Sequence, residues 1–512
     1  MEKYIRLSFF IIYFFLINSL IAQPLPNELK NLIYMGKNEI YHFRLDNALD
    51  IFRLIQKKYP DLPHGYFYES YIYMIFISQD ETNKSLDSLL HATINNALNV
   101  GKNYRVKIGE TPESLYYLGL TYGLLGIYHV VNRNYFRGYI YGRKGKNYLE
   151  KVVKLDSTYY DAYLGLGIFH YYVDLLPGII KFFASILGFK GDRSRGMQEI
   201  KLTRDNGKFL RVEADFAHAC IRYFLEGAKQ EALQDFFRLY RIYPSNPAVI
   251  LLIGYYYRRI GNIETAISYF QQVPDKYSDK LPEISVIKYY NLGVCYYRMN
   301  QFELAEKTFN DLENNSLRKS KYYKAAIAYY LGLLADIRFE REKALEYYNR
   351  IPKNKKTKYW YYASQIHRKI PMDSLMLFYL IIENDIIRAN FKDASIYLKR
   401  LLLLVSNPGN LKHQFFIYMV KDLQARLAFR EGKIIEASKL YKEFIEQVRL
   451  IEDEFQRAWI YIQYARVLRE LKDWQNAEKY LNKASDCDDE YTNLIIDRER
   501  FIIKQLKGNQ KV

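Results

Sequence analysis

The chain has 512 residues, with 75 lysines and arginines against 57 aspartates and glutamates, and a formal charge of +18. Its three cysteines, Cys220, Cys295 and Cys487, are too few and too widely spaced for a disulfide framework, so stability has to come from packing, with each cysteine a small buried residue. The basic balance raises nucleic acid or an anionic surface as a partner. Against nucleic acid stand an export signal and a biased composition rich in Lys, Tyr, Ile and Asn.

That signal opens the chain. Lys3 and Arg6 precede an apolar stretch from Leu7 to Leu20, and Ala22 is followed by Gln23, Pro24 and Pro26. This is the layout of a secretory signal peptide over residues 1–22, and it predicts an exported protein of the periplasm or cell envelope. The apolar run is shorter than the ~20 residues of a membrane span; an uncleaved anchor is the alternative.

Beyond it, helical periodicity runs almost the whole length and no alternating strand pattern intervenes. Residues 23–110 hold helical repeats, the first marked by Gly36, Ala48, Phe52 and Pro60. Residues 111–226 are irregular: Gly119, Tyr122, Gly145 and Leu149 form a long unit, and Gly167 starts another. Within them, Leu175 to Phe189 predicts an apolar helix starting near Pro177, with Lys181, Ala184, Ser185 and Gly188 on one stripe. Such a helix is usually buried. The sharper reading lays it in a membrane interface, with Phe182, Phe183 and Arg193 as contacts.

Residues 227–352 repeat most regularly. Ala266, Ala305 and Ala344 lie 39 apart; each precedes an aromatic by four residues (Phe270, Phe309, Tyr348) and follows a glycine (Gly254, Gly293, Gly332). Ala232 to Ala266 is a spacing of 34. Small residues suit close helix approach, and the aromatic fills the space beside them. Over 353–487 the pattern returns as Ala394 with Leu398, then Gly432, Ala437 and Tyr441, then Lys472, Ala477 and Leu481. Residues 488–512 read as a capping helix and tail.

With Gly254, Tyr257, Gly261, Ala266 and Phe270 in this pattern, the chain resembles the tetratricopeptide repeat family. The resemblance implies an all-α fold, a right-handed α-solenoid of about ten tetratricopeptide-like helix pairs with an irregular insert. In residues 160–226, the segment from Leu176 to Met197 is similar to the inclusion-body-clearance family of repeat proteins, in which a leucine-proline turn, an apolar helix and a GFxGDR-like turn interrupt the array.

No catalytic or cofactor signature is found. The histidines at 42, 64, 91, 129, 170, 218, 367 and 413 never fall three or four apart, so no helical metal pair is available. Gly165 and Gly167 form a lone GxG, which close packing explains. No enzyme, cofactor or metal is therefore expected; an unrecognised enzyme is the remote alternative. The family's repeat geometry implies a concave groove lined by Leu251, Tyr255, Arg258, Arg259, Tyr290, Tyr297 and Arg298, then by Arg426, Phe429, Arg430, Trp459, Arg466 and Arg469. Arginine forks with aromatic neighbours suit carboxylates and extended peptides. The function expected is a protein-binding scaffold for a protein or peptide, acidic in character. The runner-up is a peripheral membrane protein docking anionic lipid through residues 175–211.

Overall fold

The computed structural model describes residues 26–79, 83–175, 191–275, 281–315, 320–407, 416–487 and 489–508. The expected signal peptide, Phe182 and Phe183 lie outside them. Twenty-four α-helices and no strand are present among the described residues. The chain divides into two compact units, with the boundary between Ile250 and Leu251.

The N-terminal unit runs through α1 (Asn27–Tyr41), α2 (Leu45–Lys58), α3 (Pro63–Gln79), α4 (Lys84–Ile108), α5 (Pro112–Val131), α6 (Tyr135–Leu155), α7 (Ala162–Val173), α8 (Arg193–Asn206), α9 (Arg211–Ile221) and α10 (Lys229–Ile242). The boundary falls in α11 (Pro247–Ile260). The C-terminal unit continues with α12 (Ile263–Gln272), α13 (Pro282–Arg298), α14 (Phe302–Asn314), α15 (Lys321–Ile337), α16 (Arg341–Asn349), α17 (Lys358–Lys369) and α18 (Ser374–Ile387). It ends with α19 (Phe391–Ser406), α20 (Phe416–Arg430), α21 (Ile434–Phe444), α22 (Glu454–Glu470), α23 (Trp474–Ala484) and α24 (Glu490–Gly508).

Eight helix pairs share one turn. One residue takes a left-handed conformation: Phe43, Arg133, Gly261, Asn300, Phe339, Ala389, Gly432 or Lys472. The next residue donates its N–H five residues back, as from Asn262 to the Tyr257 carbonyl (3.0 Å) and from Glu340 to Ala335 (2.9 Å). This is the helix-ending bond that reverses a chain tightly.

Counting from the left-handed residue gives a common register. Five positions on stand Ala48, Ala266, Ala305, Ala344, Ala394, Ala437 and Ala477, all inaccessible to solvent. Nine positions on stand Phe52, Phe270, Phe309, Tyr348, Leu398, Tyr441 and Leu481, all buried. Seven positions back, in four pairs, stands a glycine whose hydrogen faces that aromatic ring. A Cβ on Gly36 would lie 2.5 Å from Phe52, and on Gly293 2.7 Å from Phe309. The spacing is thus an interlock: glycine lets the ring sit against the backbone of the preceding helix, and burying each ring contributes roughly 1.5–3 kcal/mol.

The α5–α6 pair keeps the turn at Arg133 but has glycine at both register positions: Gly138 where the others have alanine, and Gly142 where they have a large side chain. Here the backbones themselves meet. A Cβ on Gly126 would be 2.7 Å from the Gly142 nitrogen, and one on Gly145 would be 2.8 Å from the Gly119 carbonyl. Likewise a Cβ on Gly167 would be 2.6 Å from the Gly196 carbonyl, so α7 and α8 approach closely and that GxG is a packing feature. Cys220, Cys295 and Cys487 are all free and buried, as expected.

Candidate functional site

The first clue to the C-terminal unit's inner face is α18, whose sequence SLMLFYLIIENDII interrupts an apolar run with Glu383, Asn384 and Asp385. Glu383 receives Arg298 Nη1 from α13 at 3.1 Å and Arg426 Nη1 from α20 at 3.2 Å. Asn384 donates to the Tyr297 carbonyl (3.0 Å) and to Asn300 Oδ1 (2.8 Å), and accepts from Arg298 (2.8 Å). The α13–α14 turn is therefore bound to a helix more than eighty residues further on.

The approach is tight. Gly261, in the α11–α12 turn, leaves room for the Ile387 carbonyl, which a Cβ would meet at 2.0 Å. Arg430 donates to both the Ile260 and Ile387 carbonyls, at 3.3 and 3.2 Å. Burial works against ionisation of Glu383, but Arg426 and Arg298 outweigh it and hold its carboxyl below the usual range. Burial also pushes Asp422 up, opposed by Arg426; Asp422 accepts from the Tyr441 hydroxyl at 2.8 Å.

A second cluster ends the unit. Glu499 on α24 accepts from Arg466 at 2.8 Å and from Arg469. Burial again opposes its charge, yet Arg466, Arg469 and Arg498 bring the carboxyl down to about 2. The capping helix is thus held to α22 by charge as well as by apolar contact.

Aromatic rings fill the space between these clusters. Tyr297 lies 5.4 Å from Tyr330, Tyr330 stacks on Phe309 at 5.0 Å, and Trp360 lies 5.3 Å from Tyr329. Tyr359 meets Tyr491 of α24 at 5.0 Å. His367 is buried in this layer, where desolvation and then Arg341 lower its pKa to about 4.

The residues assigned from the repeat pattern thus fall into four sets. Leu251, Tyr290 and Tyr297 are buried instead of lining an open channel, and Tyr290 and Tyr297 lie against the Tyr330 ring. Arg298, Arg426, Arg466 and Arg469 do converge, but on Glu383 and Glu499, carboxylates of the same chain. Arg259 and Arg430 are exposed, and Arg258 lies over the Tyr255 ring at 5.0 Å. Phe429 and Trp459 pack partly buried against the C-terminal core. The acidic partners were not assigned beforehand; the signal was a Glu-Asn-Asp run in an apolar helix.

In the N-terminal unit, α1 contacts the segment before α9. Lys37 Nζ lies 3.1 Å from Glu213 and donates to the Phe209 carbonyl at 2.6 Å, while the Tyr41 hydroxyl also donates to Glu213. Burial raises the Glu213 carboxyl to about 7 against the pull of Lys37. Arg193, expected at a membrane surface, is ion-paired with Asp174 at 2.7 Å. Among the described residues no helix is long and apolar enough to cross a membrane, and no group of three His, Cys, Asp or Glu is placed to hold a metal.

Stacked helix pairs, eight of them joined by the same left-handed turn, define an α-solenoid protein of tetratricopeptide type. Residues 161–376 match the family described as Iml2/Tetratricopeptide repeat protein 39, so the likeness expected for 160–226 extends through α17. Similar solved structures include yeast Tom70, with 15% identity, 88% of each chain covered and a TM-score of 0.32. The human IFIT1 dimer with PPP-AAAA shares 16% identity over 79% of this chain and 95% of that chain, at a TM-score of 0.34.

Proposed function

We propose that this chain is an exported, non-catalytic scaffold that holds an acidic segment of a partner protein along the inner edge of its C-terminal unit. A repeat fold of this type fits a protein-binding role. The finer reading is carried by one observation: Arg298, Arg426 and Arg430 from α13 and α20 reach the single helix α18, and Arg430, together with Arg259 near the end of α11, is exposed.

On this reading the labour is divided. Arg298 and Arg426 hold helices together through Glu383. Arg259 and Arg430 meet the partner, presenting guanidinium forks that suit carboxylates. The export half of the proposal rests on Lys3, Arg6 and the apolar stretch to Leu20, and intact-mass measurement tests it: the secreted chain should begin near Gln23.

The test of the binding half is capture from cell-envelope extract by wild-type protein and by an Arg259→Ala/Arg430→Ala variant. Because Arg430 also donates to two backbone carbonyls, circular dichroism first verifies that the variant is folded; it should then capture less. Capture by wild type should fall with salt, which screens exposed charges over ~8 Å at physiological ionic strength. Undiminished capture by the folded variant overturns the assignment.

A further inference from the structure

The N-terminal unit contains a cleft of about 820 Å³, counting its open mouth, walled by α3, α5, α6 and α7. Its lining is almost wholly apolar, including Phe67, Tyr71 and Phe169, and its one charged side chain is Lys146.

Two glycines in this wall have room for a side chain on the cleft side. A Cβ on Gly123 would meet nothing within 4 Å, and one on Gly142 would make only ordinary contact with the Phe169 ring, at 3.4 Å. Glycine within a helix costs ~1 kcal/mol relative to alanine, so packing alone favours a larger residue at both. Gly142 also occupies the register position where the seven other pairs carry Phe, Tyr or Leu. Of the eight described pairs with this turn, this one lacks the large side chain.

We propose that the cleft binds a long-chain carboxylate, with the alkyl chain along Gly123 and Gly142 and the carboxylate at Lys146. Lys146 is buried and its ammonium pairs with Glu150 at 2.7 Å, while Glu150 is 42% exposed. An incoming carboxylate exchanges with Glu150, which swings into water at little cost; no charge is left unpaired at the mouth. The helix that carries Lys146 is basic as a whole: α6 has two arginines and four lysines, Lys146 among them, against one glutamate. A neutral chain gains the same apolar contacts but nothing at Lys146.

The test uses the purified chain and cis-parinaric acid, a fluorescent long-chain carboxylate, with hexadecanoate and hexadecanol as competitors. Saturation at one probe per chain is expected, with hexadecanoate displacing it better than hexadecanol. Gly142→Leu should fill the cleft and weaken binding about tenfold or more, as loss of an apolar pocket predicts. Lys146→Met should bring the two competitors level. Gly123→Leu serves if Gly142→Leu loses its helical circular dichroism. Absent saturation, equal displacement by both competitors of the wild type, or wild-type affinity in a folded cleft-filling variant each overturns the proposal.

Discussion

Gly332 on α15 and Tyr348 on α16 form one joint: the tyrosine ring lies where a Cβ of the glycine would be, 2.6 Å away, and its hydroxyl reaches back to Asp336 at 3.1 Å. Neither residue can enlarge or shrink alone. The equivalent joints at Gly254–Phe270 and Gly293–Phe309 have the same geometry.

Such a joint makes overpacking measurable. Gly293→Ala should destabilise by about 1–3 kcal/mol, the usual cost of forcing extra atoms into a filled site. Adding Phe309→Leu should recover part of it, because contacting residues are coupled. Additive losses in the double variant would disprove the interlock. Ala305→Arg, at a fully buried position, should cost more, since it adds an unpaired charge to the strain.

Glu383 should behave as a clamp. Glu383→Ala leaves Arg298 and Arg426 without their shared carboxylate, and losing one member of a buried pair costs ~3–5 kcal/mol. Chemical denaturation followed by circular dichroism should show this loss. A value near zero would mean the cluster does not hold α18.

The pair across α1 and α9 allows a double-mutant test. Glu213→Leu alone leaves Lys37 buried and uncompensated, with an expected loss of ~3–5 kcal/mol. Lys37→Met/Glu213→Leu should be markedly more stable than the single variant, because apolar replacement of a whole buried pair is often neutral. Equal instability of the two would refute the charge argument.

His367 sets a pH dependence with a defined sign. Its pKa falls from 6.5 to about 4 on folding, so between these values the unfolded chain binds the extra proton. Stability from this group is therefore complete above pH 6.5 and is lost as pH falls towards 4, by up to about 3 kcal/mol at 1.36 kcal/mol per unit. Melting temperature against pH should show the decline, and His367→Phe should flatten it.

The repeat spacing was legible in the sequence because each joint is local: a glycine, a turn and an aromatic within sixteen residues (Gly254 to Phe270). The contents of the inner face were not. Arg298 and Glu383 meet across eighty-five residues, and no periodic pattern encodes that pairing. Groove positions inferred from a generic repeat name the arginines but not the carboxylates they pair with. Gly142 was missed for the opposite reason. It breaks a register that becomes visible only when Arg133 is seen to adopt the same turn as Phe43 and Asn300.

Those turns also leave the molecule open to engineering. Six of the eight left-handed positions carry a side chain, among them Phe339, which is 63% exposed and so gains little from burial. A non-glycine residue held there costs on the order of 1–3 kcal/mol. The natural chain thus stops short of its attainable thermal tolerance. Glycine at Phe339 and Lys472, positions in separate turns, offers two independent increments towards a hardened scaffold.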